Sequence, residues 1–166
     1  DVYKRQKEIP EWDFEGVRQE ASQEWDKYLS KIDISTKDDT HRRIFYTAMY
    51  HTAICPNLFT DVDGRYRGMD LEIHQGDVQK PIYTIFSLWD TFRALHPLFS
   101  IIDPQLNNDF IYSLLQKHKE GGIFPMWDLA SNYTGIMIGY HAASLIADAY
   151  TKGYSDFDLH EAYSAC

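Results

Sequence analysis

Apolar residues recur at steps of three and four through much of the chain, and that period predicts helices. Over residues 10–33, Phe14, Val17, Ala21, Trp25, Tyr28, Leu29 and Ile32 make one stripe. Asp13 is the expected N-cap, and Glu15 sits in the first turn, where the helix dipole favours an acid. A second helix is predicted over residues 39–54, with Ile44, Phe45, Ala48, Met49 and Thr52 on one face and Pro56 beyond its end. The period then lapses. Residues 58–68 read as a hairpin or loop with Asp63-Gly64 at its turn, and residues 69–80 as a polar surface loop. A third helix is expected over residues 87–99, cut or kinked by Pro97. Asp103 and Pro104 open a fourth, which carries Leu106, Phe110, Leu114 and Lys117 and closes at Gly121-Gly122. Residues 123–131 form a loop. A fifth helix over residues 134–152 is apolar on almost every side, so burial all round is expected of it. A sixth starts near Asp156. The fold class this predicts is all-α, in helical hairpins with inner and outer layers and a short β-hairpin or loop near residues 57–68.

Composition narrows the functions available. The chain has 166 residues, 44% of them apolar, which is enough for one core. A formal net charge of −9 argues against nucleic-acid binding, because phosphate contacts need a basic face. No apolar run reaches the ~18 residues that a membrane helix needs. Aromatics make up 15%, and such rings either pack the core or offer flat faces to ligands such as sugars. Cys55 and Cys166 form no C-x-x-C pair and define no disulfide framework. His41 and His51 lack zinc-site spacing. Asp61 and Asp63 invite a calcium loop, but Gly64 comes too early for one, so a turn is the expected reading. No period of 30 to 50 residues marks a repeat protein.

Candidate chemistry gathers at the two ends of residues 83–139. One end holds Trp89, Asp90 and Arg93; the other holds Trp127, Asp128, Asn132 and, just beyond, His141. Charge, aromatic faces and helix ends together suit a small-molecule pocket. Trp89 and Trp127 can face a pyranose ring, and packing between helices is the alternative for both. Asp90 and Arg93, three apart, either hold adjacent hydroxyls or form a surface ion pair. Asn132 is also placed to cap the fifth helix. His141 and, more weakly, His96 are either ligands of a substrate or core histidines.

Four ordered segments carry a resemblance: residues 45–52 (Phe-Tyr-Thr-Ala-Met-Tyr-His-Thr), 63–68 (Asp-Gly-Arg-Tyr-Arg-Gly), 83–93 (Tyr-Thr-Ile-Phe-Ser-Leu-Trp-Asp-Thr-Phe-Arg) and 134–142 (Thr-Gly-Ile-Met-Ile-Gly-Tyr-His-Ala). Together they resemble glycoside hydrolase family 92, calcium-dependent exo-acting α-mannosidases that invert the anomeric centre. The likeness runs from about Trp12 to Ala165. It implies part of an (α/α)6 catalytic barrel that in the family follows a β-sandwich. The expected organisation is residues 7–166 as a piece of that barrel. Residues 1–6 resemble translated sequencing-adapter sequence and are expected to be foreign to it.

The resemblance also implies roles. In the family a Glu follows the Asn that precedes the Thr-Gly pair and acts as general acid. Here Asn132 and Thr134 match, and the acid position holds Tyr133. A phenol, with a reference pKa of about 10, is a poor proton donor to a sugar leaving group. A read error, a variant acting on leaving groups that need no acid, and an inactive homologue each produce such a change. Trp89, Asp90, Arg93, Trp127, Asp128, Asn132 and His141 are the implied substrate-binding residues. Calcium is the implied cofactor, with the general base and most of the calcium region beyond Cys166. Mannose-containing glycans are the implied partners, an extracytoplasmic location is implied, and the piece alone is expected to be inactive. The alternative is a helical sugar-binding domain without catalysis.

Overall fold

Capping side chains set several of the helix starts. In the computed structural model, which describes residues 2–166, Asp13 Oδ1 accepts from the Gly16 N–H at 3.0 Å and opens α2 (Phe14–Leu29), which follows α1 (Val2–Glu8). Asp38 does the same for α3 (Asp39–Thr52), accepting from the Thr40 N–H at 2.8 Å. Both predicted helices are therefore present, each a few residues shorter than the apolar period suggested. The chain divides into two compact units, one ending at Ile54 and the other Cys55–Cys166.

In the first unit, Trp25 lies 4.5 Å from Tyr50, and the hydroxyls of Tyr28 and Thr52 are 3.0 Å apart. Met49 is its buried apolar side chain, whereas Phe14 of α2 and Ile44 of α3 are exposed. The expected stripes are thus covered only where the two helices face each other.

The second unit begins with short strands β1 (Asn57–Leu58), β2 (Arg65–Arg67), β3 (Ile73–Gln75) and β4 (Tyr83–Thr84). The Asp-Gly turn is present, with the Gly64 N–H donating to the Asp61 carbonyl at 2.8 Å and Gly64 at φ 83°. The strands on either side of it do not pair with each other. β1 pairs with β4 and β2 with β3, both antiparallel, so the expected hairpin is replaced by two longer-range ladders. Tyr66 explains the choice for β2: its hydroxyl donates to Glu120 Oε1 at 2.6 Å and its ring stacks on His74, which fixes β2 between β3 and a helix.

The third predicted helix is two: α4 (Leu88–Thr91) and α5 (Leu95–Ile102). The break falls ahead of Pro97, which occupies the first turn of α5. Its missing N–H is harmless there, while its ring would clash with the carbonyl four residues back in a continuous helix. Next comes α6 (Pro104–Gly121), started by Asp103, which accepts from the Leu106 N–H at 3.2 Å. Gly122 ends it in the left-handed conformation, φ 77°. A small hairpin, β5 (Asp128–Leu129) with β6 (Asn132–Tyr133), precedes α7 (His141–Thr151) and α8 (Leu159–Ala165).

The fifth helix is corrected most. Residues 135–140 are not helical. Gly135, Met137 and Gly139 have φ of 67°, 68° and 91°, and Ile136, Met137, Ile138 and Tyr140 are exposed. Two glycines with low helix propensity break the run. A Cβ at 139 would also collide with the His141 ring. What remains, α7, buries Ala142, Leu145, Ile146 and Ala149 and leaves Tyr150 exposed, so it is covered on one side. Among the described residues about half are helical, with three small antiparallel sheets, and the helices there close no barrel. Among the described residues no helix is long and apolar enough to cross a membrane.

The core lies around α6, which packs against α5, α7, α8 and β4. Phe110 takes edge contacts from Phe86 at 5.7 Å, His96 at 5.6 Å and Phe99 at 5.5 Å. His96 is 2% exposed and neither ring nitrogen has a hydrogen-bond partner. Burial pushes its pKa down to about 4 from the ordinary 6.5. The unfolded chain therefore binds a proton here before the folded one does. Stability is intact above pH 6.5 and falls as pH drops through 6.5 toward about 4, by about 3 kcal/mol. Urea denaturation at pH 7 and pH 4.5 should show this loss, and His96→Phe should flatten it. An unchanged pH slope in the variant would assign the acid sensitivity elsewhere.

Candidate functional site

Two segments meet through a single bridge. Ser87 pairs with Trp127 as an isolated antiparallel β-bridge, which sets Trp127 beside the segment that carries Trp89 and Asp90. The two segments that carry the candidate residues thereby run side by side at Ser87 and Trp127.

On the first segment, α4 is too short to include Arg93, so Asp90 and Arg93 do not share a helix face. The Asp90 carboxylate accepts from the Ser87 hydroxyl. Arg93 instead lies over rings, its guanidinium carbon 5.8 Å from the Trp89 ring centre and 5.0 Å from that of Phe92. His141, at the start of α7, stacks on Phe92 with centres 4.0 Å apart and 15° between planes, and lies 5.7 Å from the Trp89 ring. Its Nε2 is buried without a hydrogen-bond partner. Trp89, Phe92, Arg93 and His141 therefore form one cluster, with Trp89 37% exposed.

On the second segment, the Trp127 carbonyl accepts from both the N–H and the hydroxyl of Thr134, at 3.3 and 2.8 Å. Asn132 is exposed, and its side-chain amide donates to the Leu129 and Ala130 carbonyls. It braces the β5–β6 turn and caps no helix, since α7 starts at His141. Tyr133 sits on β6 directly across from Asp128 and is half-buried. Ala130 and Ser131 form the two-residue turn with φ of 48° and 60°. Such a hairpin wants positive φ at both positions, which glycine and asparagine tolerate better than alanine or serine. The Ser131 hydroxyl, donating to the Arg67 carbonyl, helps hold it.

Asp128 is 0% exposed. Its Oδ2 accepts from the Thr84 hydroxyl at 2.8 Å and lies 3.1 Å from Lys117 Nζ; its Oδ1 accepts from the Phe86 N–H at 3.1 Å. Lys117 is itself 1% exposed, and its approach to Asp128 is a close ion pair whose angle is not that of a hydrogen bond. Thr84 also accepts from the Ala130 N–H at 2.9 Å. Neither Lys117 nor Thr84 was singled out from the sequence. For Lys117 a signal existed: a lysine seven residues after Phe110 and three after Leu114 occupies a core position of α6.

Among the described residues no group of three or more His, Cys, Asp or Glu side chains is arranged to hold a metal ion, so the calcium implied by the resemblance finds no ligand set there.

Comparison with known proteins gives consistent matches. The family model described as the glycosyl hydrolase family 92 catalytic domain matches residues 3–166. A family 92 α-mannosidase of Bacteroides thetaiotaomicron superposes with a TM-score of 0.91 at 38% identity, over 96% of this chain and 21% of that one. The same enzyme has been solved with mannoimidazole bound. A family 92 inverting mannosidase of the same organism gives a TM-score of 0.88 at 30% identity, over 96% and 22%. An uncharacterized secreted glycosidase of Arthroderma benhamiae is 29% identical over 96% of this chain and 17% of its own length. The chain thus spans about a fifth of the relatives it matches.

Proposed function

The chain belongs to glycosyl hydrolase family 92, and from that premise we propose that it is a stretch of the (α/α)6 catalytic domain of an exo-acting, inverting α-mannosidase. The parent protein is extracytoplasmic, depends on calcium bound largely by residues outside this stretch, and removes terminal α-mannosyl units from mannan or N-glycans. The observation that carries the reading is the Ser87–Trp127 bridge, which joins the cluster of Trp89, Arg93 and His141 to the hairpin of Asn132 and Tyr133. Trp89 stacks on the sugar, while Asp90, Arg93, Asn132 and His141 bind its hydroxyls. Asp128, being buried, serves from behind.

Inverting hydrolysis needs two carboxyl groups about 6.5 to 9.5 Å apart with a water between them. Tyr133 stands where the family places one, so this stretch by itself is inactive. The same substitution favours a second reading, a sugar-binding protein without turnover. Assaying the parent protein on α-mannosides, with and without a calcium chelator, tests both. The expected result is chelator-sensitive release of mannose, seen first as the β anomer by NMR. Absence of release under either condition overturns the hydrolase reading. Calorimetric binding of mannobiose without release would then establish the second.

A further inference from the structure

Lys117 and Asp128 are charged groups in the most apolar part of the molecule, and the proposed reaction uses neither directly. A buried ion pair is weak evidence for stability, because apolar side chains of similar volume often serve as well. What this pair touches gives it another purpose. Asp128 and Thr84 together reach three backbone or side-chain groups on both site segments: the Phe86 N–H on one, the Ala130 N–H on the other, and each other across the gap. Each segment carries strained backbone next to these contacts. Ile85, a β-branched residue, has φ 65°, and Ala130 and Ser131 have 48° and 60°. Such conformations persist only where surrounding contacts over-determine them. Lys117 ties the arrangement to α6, the rigid helix at the centre of the core.

We propose that Lys117, Asp128 and Thr84 form a buried clamp that positions the two sugar-contacting segments against each other. Lys117 fixes the Asp128 carboxylate. Asp128 then holds the left-handed backbone at Ile85, two residues before Ser87 and four before Trp89. Through Thr84 it holds the turn at Ala130, three residues before Tyr133. A slip in the clamp separates Trp89 from the hairpin without altering any group that touches sugar. These are positioning residues, and the inference rests on the mannosidase reading for the identity of the ligand.

The test uses the full-length parent protein with Thr84→Val, which keeps the shape and removes the hydroxyl, and Thr84→Ser, which restores it. Two measurements are made: amide hydrogen exchange, and titration with mannoimidazole. In Thr84→Val, exchange over residues 84–90 and 127–134 should accelerate together, by about tenfold or more, while residues 110–115 of α6 keep their protection. Mannoimidazole affinity should fall by about 10- to 100-fold, and Thr84→Ser should recover both. Exchange that rises evenly through the domain would make the contacts merely structural and overturn the clamp. So would segment-specific exchange with affinity within twofold of wild type. Failure of the wild-type parent to bind mannoimidazole would count against the mannosidase reading instead, and exchange alone would then decide whether the two segments are coupled.

Discussion

Tyr133→Glu in the parent protein should raise kcat on mannosides with sugar leaving groups by ~10²–10⁴-fold, the usual worth of general acid–base catalysis. The gain should be far smaller on aryl mannosides, whose leaving groups depart as stable anions and need no proton. That contrast separates a restored proton donor from a general improvement in binding. The location suits the substitution: residue 133 lies on the β5–β6 hairpin beside the bridge that joins Trp127 to Ser87. An acidic-to-neutral bell in the pH–rate profile should appear with the variant and be absent from Tyr133→Phe. Equal rates for all three proteins on sugar leaving groups would refute the acid assignment and return the site to sugar binding alone.

Removing one half of the Lys117–Asp128 pair should be the most destabilising single change in the second unit. Lys117→Met leaves the Asp128 carboxylate buried at 0% exposure with no countercharge. Breaking such a pair costs about 3–5 kcal/mol, against the ~5–15 kcal/mol that usually holds a domain together. Adding Asp128→Asn should recover much of that loss, because an amide accepts from the Phe86 N–H without carrying charge. Denaturant midpoints of the wild type, single and double variants measure the coupling directly. A double variant no more stable than the single would mean that the cost is lost packing of the lysine stem.

Signals confined to a few neighbouring residues were legible in the sequence. Asp13, Asp103-Pro104 and Gly122 mark helix ends, and each does so in the structure, because capping is a contact within one turn. The family was legible too, from four ordered segments. Distant pairings were not. Nothing near Asn57 says that its partner is Thr84, twenty-seven residues on, and not the strand just across the Asp-Gly turn. Asp128 had the same ambiguity: a carboxylate beside a tryptophan reads as a ligand-binding group, and only Lys117 and Thr84, from other segments, reveal that it faces inward. The run at 135–140 misled for a different reason. Its apolar residues have a helical look, while Gly135 and Gly139 allow the chain to leave the helix and let the His141 ring in.

The imidazole buried against Phe86 and Phe110 has a consequence for where such a protein can be at work. It sets a lower limit of pH through the fold and not through the reaction. A descendant adapting to an acidic lumen gains little from retuning the groups around its sugar until position 96 carries a ring that takes no proton. Adaptation of this domain to new surroundings would thus begin in its interior.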